Sequence, residues 1–140
     1  MTDVRITDEV DETAIAELRA RIIAYNVART GFADGRSLGC FVRDSDGQMI
    51  AGLDGFSWGG YVKIEWLWVH DDHRQRGLGT QLVRAAEAEA TRRGCDVVRV
   101  DSHTFQAPGF YEKLGYERIG FAADTPADHG EVFFLKRLSQ

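Results

Sequence analysis

Apolar positions along the chain follow two periods, and the changes between them mark out the elements. Ile15, Leu18, Ile22 and Tyr25 recur at the spacing of one helix face. Asp11 stands where an N-cap belongs and Gly31 follows Arg29, so the pattern predicts a helix from Asp11 to about Arg29. Before it, Val4-Arg5-Ile6-Thr7 predicts a short first strand. After it, residues 31–37 (GFADGRS) predict a loop or short irregular helix. Leu38 to Arg43 and about Gln48 to Trp58 predict two strands turned by Asp44-Ser45-Asp46-Gly47, and Gly59-Gly60 turns the chain into a third. That third run, Val62 to Val69, is rich in β-branched and aromatic residues. Ile64, Trp66 and Trp68 fall on one parity and Leu67 and Val69 on the other, which predicts a central strand covered on both faces.

From Gly77 the period becomes helical. Leu78, Leu82, Ala85, Ala86 and Ala90 share a face, and Gly94 supplies a stop after Arg92 and Arg93. Val97 to Asp101 is a strand reached through that helix, so it runs parallel to the one before. Ala107 to Leu114 predicts a short helix with Pro108 in its first turn and Gly115 as its stop. Tyr116 to Phe121 and Glu131 to Leu138 close the chain as strands around the loop 122–130. The sum is one domain, 1–140, of the α/β class: a mixed sheet of about seven strands with helices on both faces.

Chemistry concentrates where the third strand meets the second helix, at Arg74-Gln75-Arg76-Gly77-Leu78-Gly79-Thr80. The first amides of a helix lack intrahelical partners, and the macrodipole adds about half a positive charge there. Two glycines let a ligand approach the backbone and two arginines add full charge, so the junction suits a pyrophosphate-like anion. It is equally a surface turn at a helix start. No Lys-Ser/Thr follows the second glycine, which argues against a nucleoside-triphosphate loop, and Leu82 stands where a dinucleotide fingerprint needs a third glycine.

Arg74-x-x-Gly77-x-Gly79, entering a helix after a strand that ends Leu67-Trp68-Val69, resembles the acyl-CoA signature of the GNAT superfamily of N-acetyltransferases. Phe110-Tyr111-Glu112-Lys113-Leu114-Gly115-Tyr116 resembles a second segment of that family, in the family's order and about thirty residues on. The resemblance covers nearly all of the chain and implies the GNAT fold, with acetyl-CoA as cosubstrate. It makes Arg74, Gln75, Arg76, Gly77, Gly79 and Thr80 the pyrophosphate loop, and the main chain of Leu67 and Val69 the partner of the pantetheine arm through a splayed strand. It makes Tyr111 the candidate general acid. Glu65, four residues before Val69, is the candidate base, with an ion pair to Lys63 or Arg99 as its structural alternative. Where the family often has asparagine, seven residues before the tyrosine, this chain has Thr104, with His103 and Gln106 close by. His70 and His73 fit a surface better than a catalytic base, and His103 and His129 stand in reserve.

Charge and composition narrow the partners. The formal net charge of −5 disfavours nucleic acid and weakly favours cationic acceptors. No run approaches a membrane span and the acidic N-terminus is unlike a signal peptide, so a cytoplasmic protein without membrane association is expected. Cys40 and Cys95 lack metal-ligand spacing and are expected as reduced thiols, with no metal cofactor. The expected reaction is direct attack of a primary amine, of a small molecule before a peptide, on acetyl-CoA. A non-catalytic acyl-CoA sensor and a protein N-acetyltransferase are the alternatives, and a homodimer is left open.

Overall fold

The structure, a computed structural model, describes residues 2–138. The chain divides into two compact units, Met1–Ala33 and Asp34–Gln140.

The first unit is one helix, α1 (Glu12–Thr30), preceded by extended chain. Its ends are as the sequence predicts. The Asp11 carboxylate accepts from the Ala14 amide at 2.9 Å, and Gly31 closes the helix at φ +78° with its amide on Val27 O at 2.8 Å. Within its own unit the helix has no second element to pack on, and none of its residues is buried. The strand expected at Val4–Thr7 does not form. Val4 and Ile6 are exposed, and the segment's hydrogen bonds stay local, such as Glu9 N to Thr7 Oγ1 at 3.1 Å. Four residues with two apolar positions offer little burial to offset the cost of ordering the backbone.

The second unit is a six-stranded sheet in the order β1-β2-β3-β4-β6-β5. Its strands are β1 (Arg36–Arg43), β2 (Met49–Trp58), β3 (Tyr61–Val69), β4 (Val97–His103), β5 (Glu117–Ala123) and β6 (Gly130–Arg137). The sheet therefore has six strands rather than seven, the lost one being Val4–Thr7. In the first hairpin Asp44 Oδ1 accepts from the amides of Asp46 (2.9 Å) and Gln48 (3.0 Å), the local bonding that makes aspartate a turn residue. β3 and β4 are the parallel pair, joined through α2 (Leu78–Arg92), and α3 (Pro108–Lys113) follows β4. The core lies on one face of the sheet, where Leu53, Val62, Ile64, Val98, Val100, Val132 and Phe134 meet Leu82, Val83, Ala86 and Ala90 of α2 and Tyr111 of α3. The inward face of α2 takes in Val83 and Glu87, while Ala85 is exposed.

Among the described residues Glu87 is the one acid in this core, only 8% exposed, and it is fully engaged. The Tyr116 hydroxyl donates to it at 2.8 Å, Lys136 Nζ at 3.1 Å and Arg84 at 2.8 Å. Lys136 Nζ also donates to Leu114 O at 2.9 Å, so this network fastens α2 to β6 and to the end of α3.

Candidate active site

Two irregularities of β3 make the site. The first is a bulge. β2 and β3 pair Asp54 with Trp66 but Gly55 with Ile64, so Glu65 is an extra residue with no partner in β2. Before it the even positions Val62 and Ile64 are buried. Beyond it Leu67 and Val69 pack against the core, while Trp66 is 74% and Trp68 46% exposed. Apolar residues on both parities thus record a change of face at the bulge, not a strand covered on both sides as expected. Gly55 permits the irregularity: an added Cβ would lie against the Lys63 carbonyl, 3.1 Å from its carbon and 3.2 Å from Ile64 Cα.

The second irregularity is a parting of strands. β3 pairs with β4 only from Tyr61–Val97 to Ile64–Val100. Beyond Ile64 the two diverge, and the β4-side edge of β3 is open. Its polarity follows from one bond: His70 N donates to Ile50 O on the β2 side at 2.8 Å. Successive strand amides alternate in direction, so the amides of Leu67 and Val69 point to the open edge.

A cavity of about 820 Å³ fills the parting. Its walls include Leu67, Val69, Arg74, Gln75, Gly77, Gly79, Thr80 and Tyr111 from the expected set, and Glu65 as well. Arg76 is exposed and does not line it. The loop into α2 is held by Gln75 at φ +63° and Gly77 at φ +80°, two left-handed residues bracketing Arg76 at a helix start. The two glycines do different work. Gly77 supplies the backbone conformation, whereas a Cβ on Gly79 would come 3.3 Å from the Phe110 ring. Arg74 is already engaged: its Nε donates to Val69 O at 3.1 Å, and its guanidinium pairs with Asp71 at 3.0 Å. In this state it ties the loop to the end of β3.

Tyr111 is 6% exposed, its ring edge-on to Tyr116 and tilted against Phe134. Burial raises its pKa to about 12, and its hydroxyl has no hydrogen-bond partner among the described residues although it lines the cavity. The ring is packed in the core. Glu65 is exposed at the bulge. The ion pair that would give it a structural role is not formed with Lys63, which pairs instead with Asp101 at 3.2 Å. Asp101, His103, Phe105 and Glu131 complete this end of the cavity. Glu131 escapes a reading of the sequence because only the sheet register brings β6 beside β4. Thr104 and Gln106 serve the backbone: Thr104 Oγ1 accepts from Gly130 N at 3.1 Å and Gln106 Oε1 from His103 N at 2.8 Å. His70 Nδ1 accepts from Asp72 N at 3.1 Å, capping the turn that leads to the loop. Burial raises the pKa of both Cys40 and Cys95, which disfavours the nucleophilic thiolate.

Comparison with known families settles what this frame is. The family model described as "Acetyltransferase (GNAT) domain" matches residues 36–118. The chain belongs to the GNAT family of acetyltransferases. It is 33% identical over 132 residues to acetyltransferase Atu2258 of Agrobacterium fabrum (strain C58 / ATCC 33970), covering 94% of this chain and 96% of that one. It is 37% identical over 93 residues to the blasticidin-S acetyltransferase of Streptomyces morookaense, covering 66% and 68%. A crystal structure of an acetyltransferase from Bacillus cereus ATCC 14579 superposes with a TM-score of 0.80 at 29% identity, covering 96% and 98%. The GNAT match spans β1 to the start of β5 and so contains the bulge, the parting, the loop and Tyr111.

Proposed function

We propose that this GNAT protein transfers the acetyl group of acetyl-CoA to a primary amine of a small molecule, by direct attack and in the cytoplasm. The parting of β3 from β4 carries the reading, because it leaves amide donors on an open edge inside a cavity that also holds an anion-suited helix start and a buried tyrosine. The residues present fit the cosubstrate: the backbone of 75–80 would take the pyrophosphate, and the Leu67 and Val69 amides the pantetheine arm and acyl carbonyl. Bound there, acetyl-CoA would supply an activated acyl group on a sulfur leaving group.

The chain's own groups manage the protons. The nitrogen–carbon bond forms as the carbon–sulfur bond breaks, and the sulfur must end protonated. Tyr111, with a pKa of about 12, is a weaker acid than a simple thiol (~8.5), so an isolated transfer to sulfur is uphill by roughly 5 kcal/mol. Tyr111 therefore gives its proton only as it regains one from the attacking nitrogen. Glu65, at the bulge and without an ion-pair partner among the described residues, accepts the proton that the acceptor ammonium sheds before attack. The likeness to blasticidin-S acetyltransferase supports a small-molecule acceptor. A thiol-release assay with acetyl-CoA against blasticidin S, aminoglycosides, amino acids and peptides tests the reading. The expected outcome is turnover with a small amine, and release with peptides alone or with none of the panel contradicts it.

A further inference from the structure

The cavity is lined by an imidazole whose tautomer the fold dictates. His103 ends β4, and its ring stacks on Phe105 with centroids 5.2 Å apart and planes 8° apart. Nδ1 lies 2.8 Å from the carbonyl oxygen of Thr125. A carbonyl only accepts, so Nδ1 carries the hydrogen, and in the neutral ring the lone pair sits on Nε2. Nε2 in turn faces Glu131 Oε2 at 3.8 Å, beyond hydrogen-bond range. Two acceptors thus face each other, in the cavity that Glu65 and Tyr111 also line.

Of the charged side chains nearby, Glu131 is the one that faces Nε2 of this ring. Asp101, two residues back on β4, is neutralised by Lys63 at 3.2 Å. The His129 ring meets Phe105 edge-on, and Glu65 is on β3. The ring itself keeps 32% of its side-chain surface exposed, a route for a proton to leave.

We propose that His103, backed by Glu131, is the exit for the proton that the acceptor sheds. The inference rests on the amine acetylation proposed above. Acetylation of an ammonium by a thioester yields an amide, a thiol and one free proton. One nitrogen-bound proton reaches sulfur by way of Tyr111, and the surplus one passes through cavity water to Nε2 of His103 and on to solvent. Glu65 meets the ammonium first, and imidazole, the side chain that changes charge near neutral pH, carries the proton away.

Two measurements test this. In 15N-detected spectra of the histidine rings, with His103→Gln for assignment, His103 should show a hydrogen on Nδ1 when neutral. With the panel amine that reacts fastest, His103→Gln should lower turnover at least tenfold near neutral pH and recover as rising pH frees the amine, and Glu131→Gln should lower turnover in the same pH range. A hydrogen on Nε2, or a folded His103→Gln enzyme with the wild-type pH profile, overturns the proposal. Glu65→Gln separates the two readings. A wild-type profile there, with His103→Gln altered, removes Glu65 as first acceptor and leaves the exit standing. The reverse result removes the exit and leaves Glu65.

Discussion

Gly55→Ala should damage both stability and the cofactor site, because the glycine makes room for the bulge that builds that site. The new methyl would press on the Lys63 carbonyl group, 3.1 Å from its carbon and 3.2 Å from Ile64 Cα. These are backbone atoms of β3 that cannot rotate away. To restore ordinary contact, β3 must draw back from β2, straining the ladder that pairs Gly55 with Ile64. Overpacking of this kind typically costs 1–3 kcal/mol, and the rigid neighbour puts this case near the top of that range. A loss of about 3 kcal/mol lowers the melting temperature by roughly 6–12 °C in a domain near this size. The displaced strand also carries Glu65, Leu67 and Val69, so acetyl-CoA affinity should fall about tenfold or more even below the melting range. Urea denaturation gives the first quantity and calorimetry with CoA the second. An alanine variant as stable as the wild type, with unchanged CoA affinity, would show that the bulge does not depend on Gly55.

Other consequences follow from the charged and phenolic groups. Glu87→Ala leaves Lys136 without its carboxylate in a mostly buried site, and should cost about 3–5 kcal/mol in urea denaturation. Arg74→Ala removes a charged hydrogen bond at the loop and should weaken CoA by roughly 1.5–3 kcal/mol, read by calorimetry. Burial holds Tyr111 neutral up to a pKa of about 12, whereas an unfolded tyrosine ionises near pH 10. The stability it lends is therefore complete below about pH 10 and is lost as pH climbs through about 12. Tyr116, shifted the same way by burial beside Glu87, adds to this. Alkaline unfolding followed at several pH values should show a shallower decline in Tyr111→Phe than in the wild type.

The elements that the sequence disclosed best are those fixed by local chemistry. Asp11 and Gly31 cap their helix as their side chains require, and Asp44 to Gly47 makes its turn by bonds within the turn itself. The tyrosine of α3 and the loop after β3 come to one cavity because the strand–helix–strand connection brings both to the same end of the sheet. What stayed hidden was set at long range. The bulge at Glu65 is a matter of register against β2, and without it Trp66 and Trp68 looked like core residues. Glu131 meets His103 because β6 inserts between β4 and β5, a pairing no spacing along the chain announces. Val4–Thr7 had the composition of a strand, but a strand needs a partner edge, and composition does not supply one.

The central claim, that the open edge of β3 is where acetyl-CoA docks, can be observed at the amides themselves. In a 15N-labelled protein titrated with acetyl-CoA, the amide signals of Leu67 and Val69 should shift most along β3, together with those of residues 75–80. Their hydrogen exchange, fast in the free protein where β4 has left that edge open, should slow on binding while Trp66 and Trp68 change little. Leu67 and Val69 amides already protected in the free protein, or unmoved at saturating acetyl-CoA, would contradict the account.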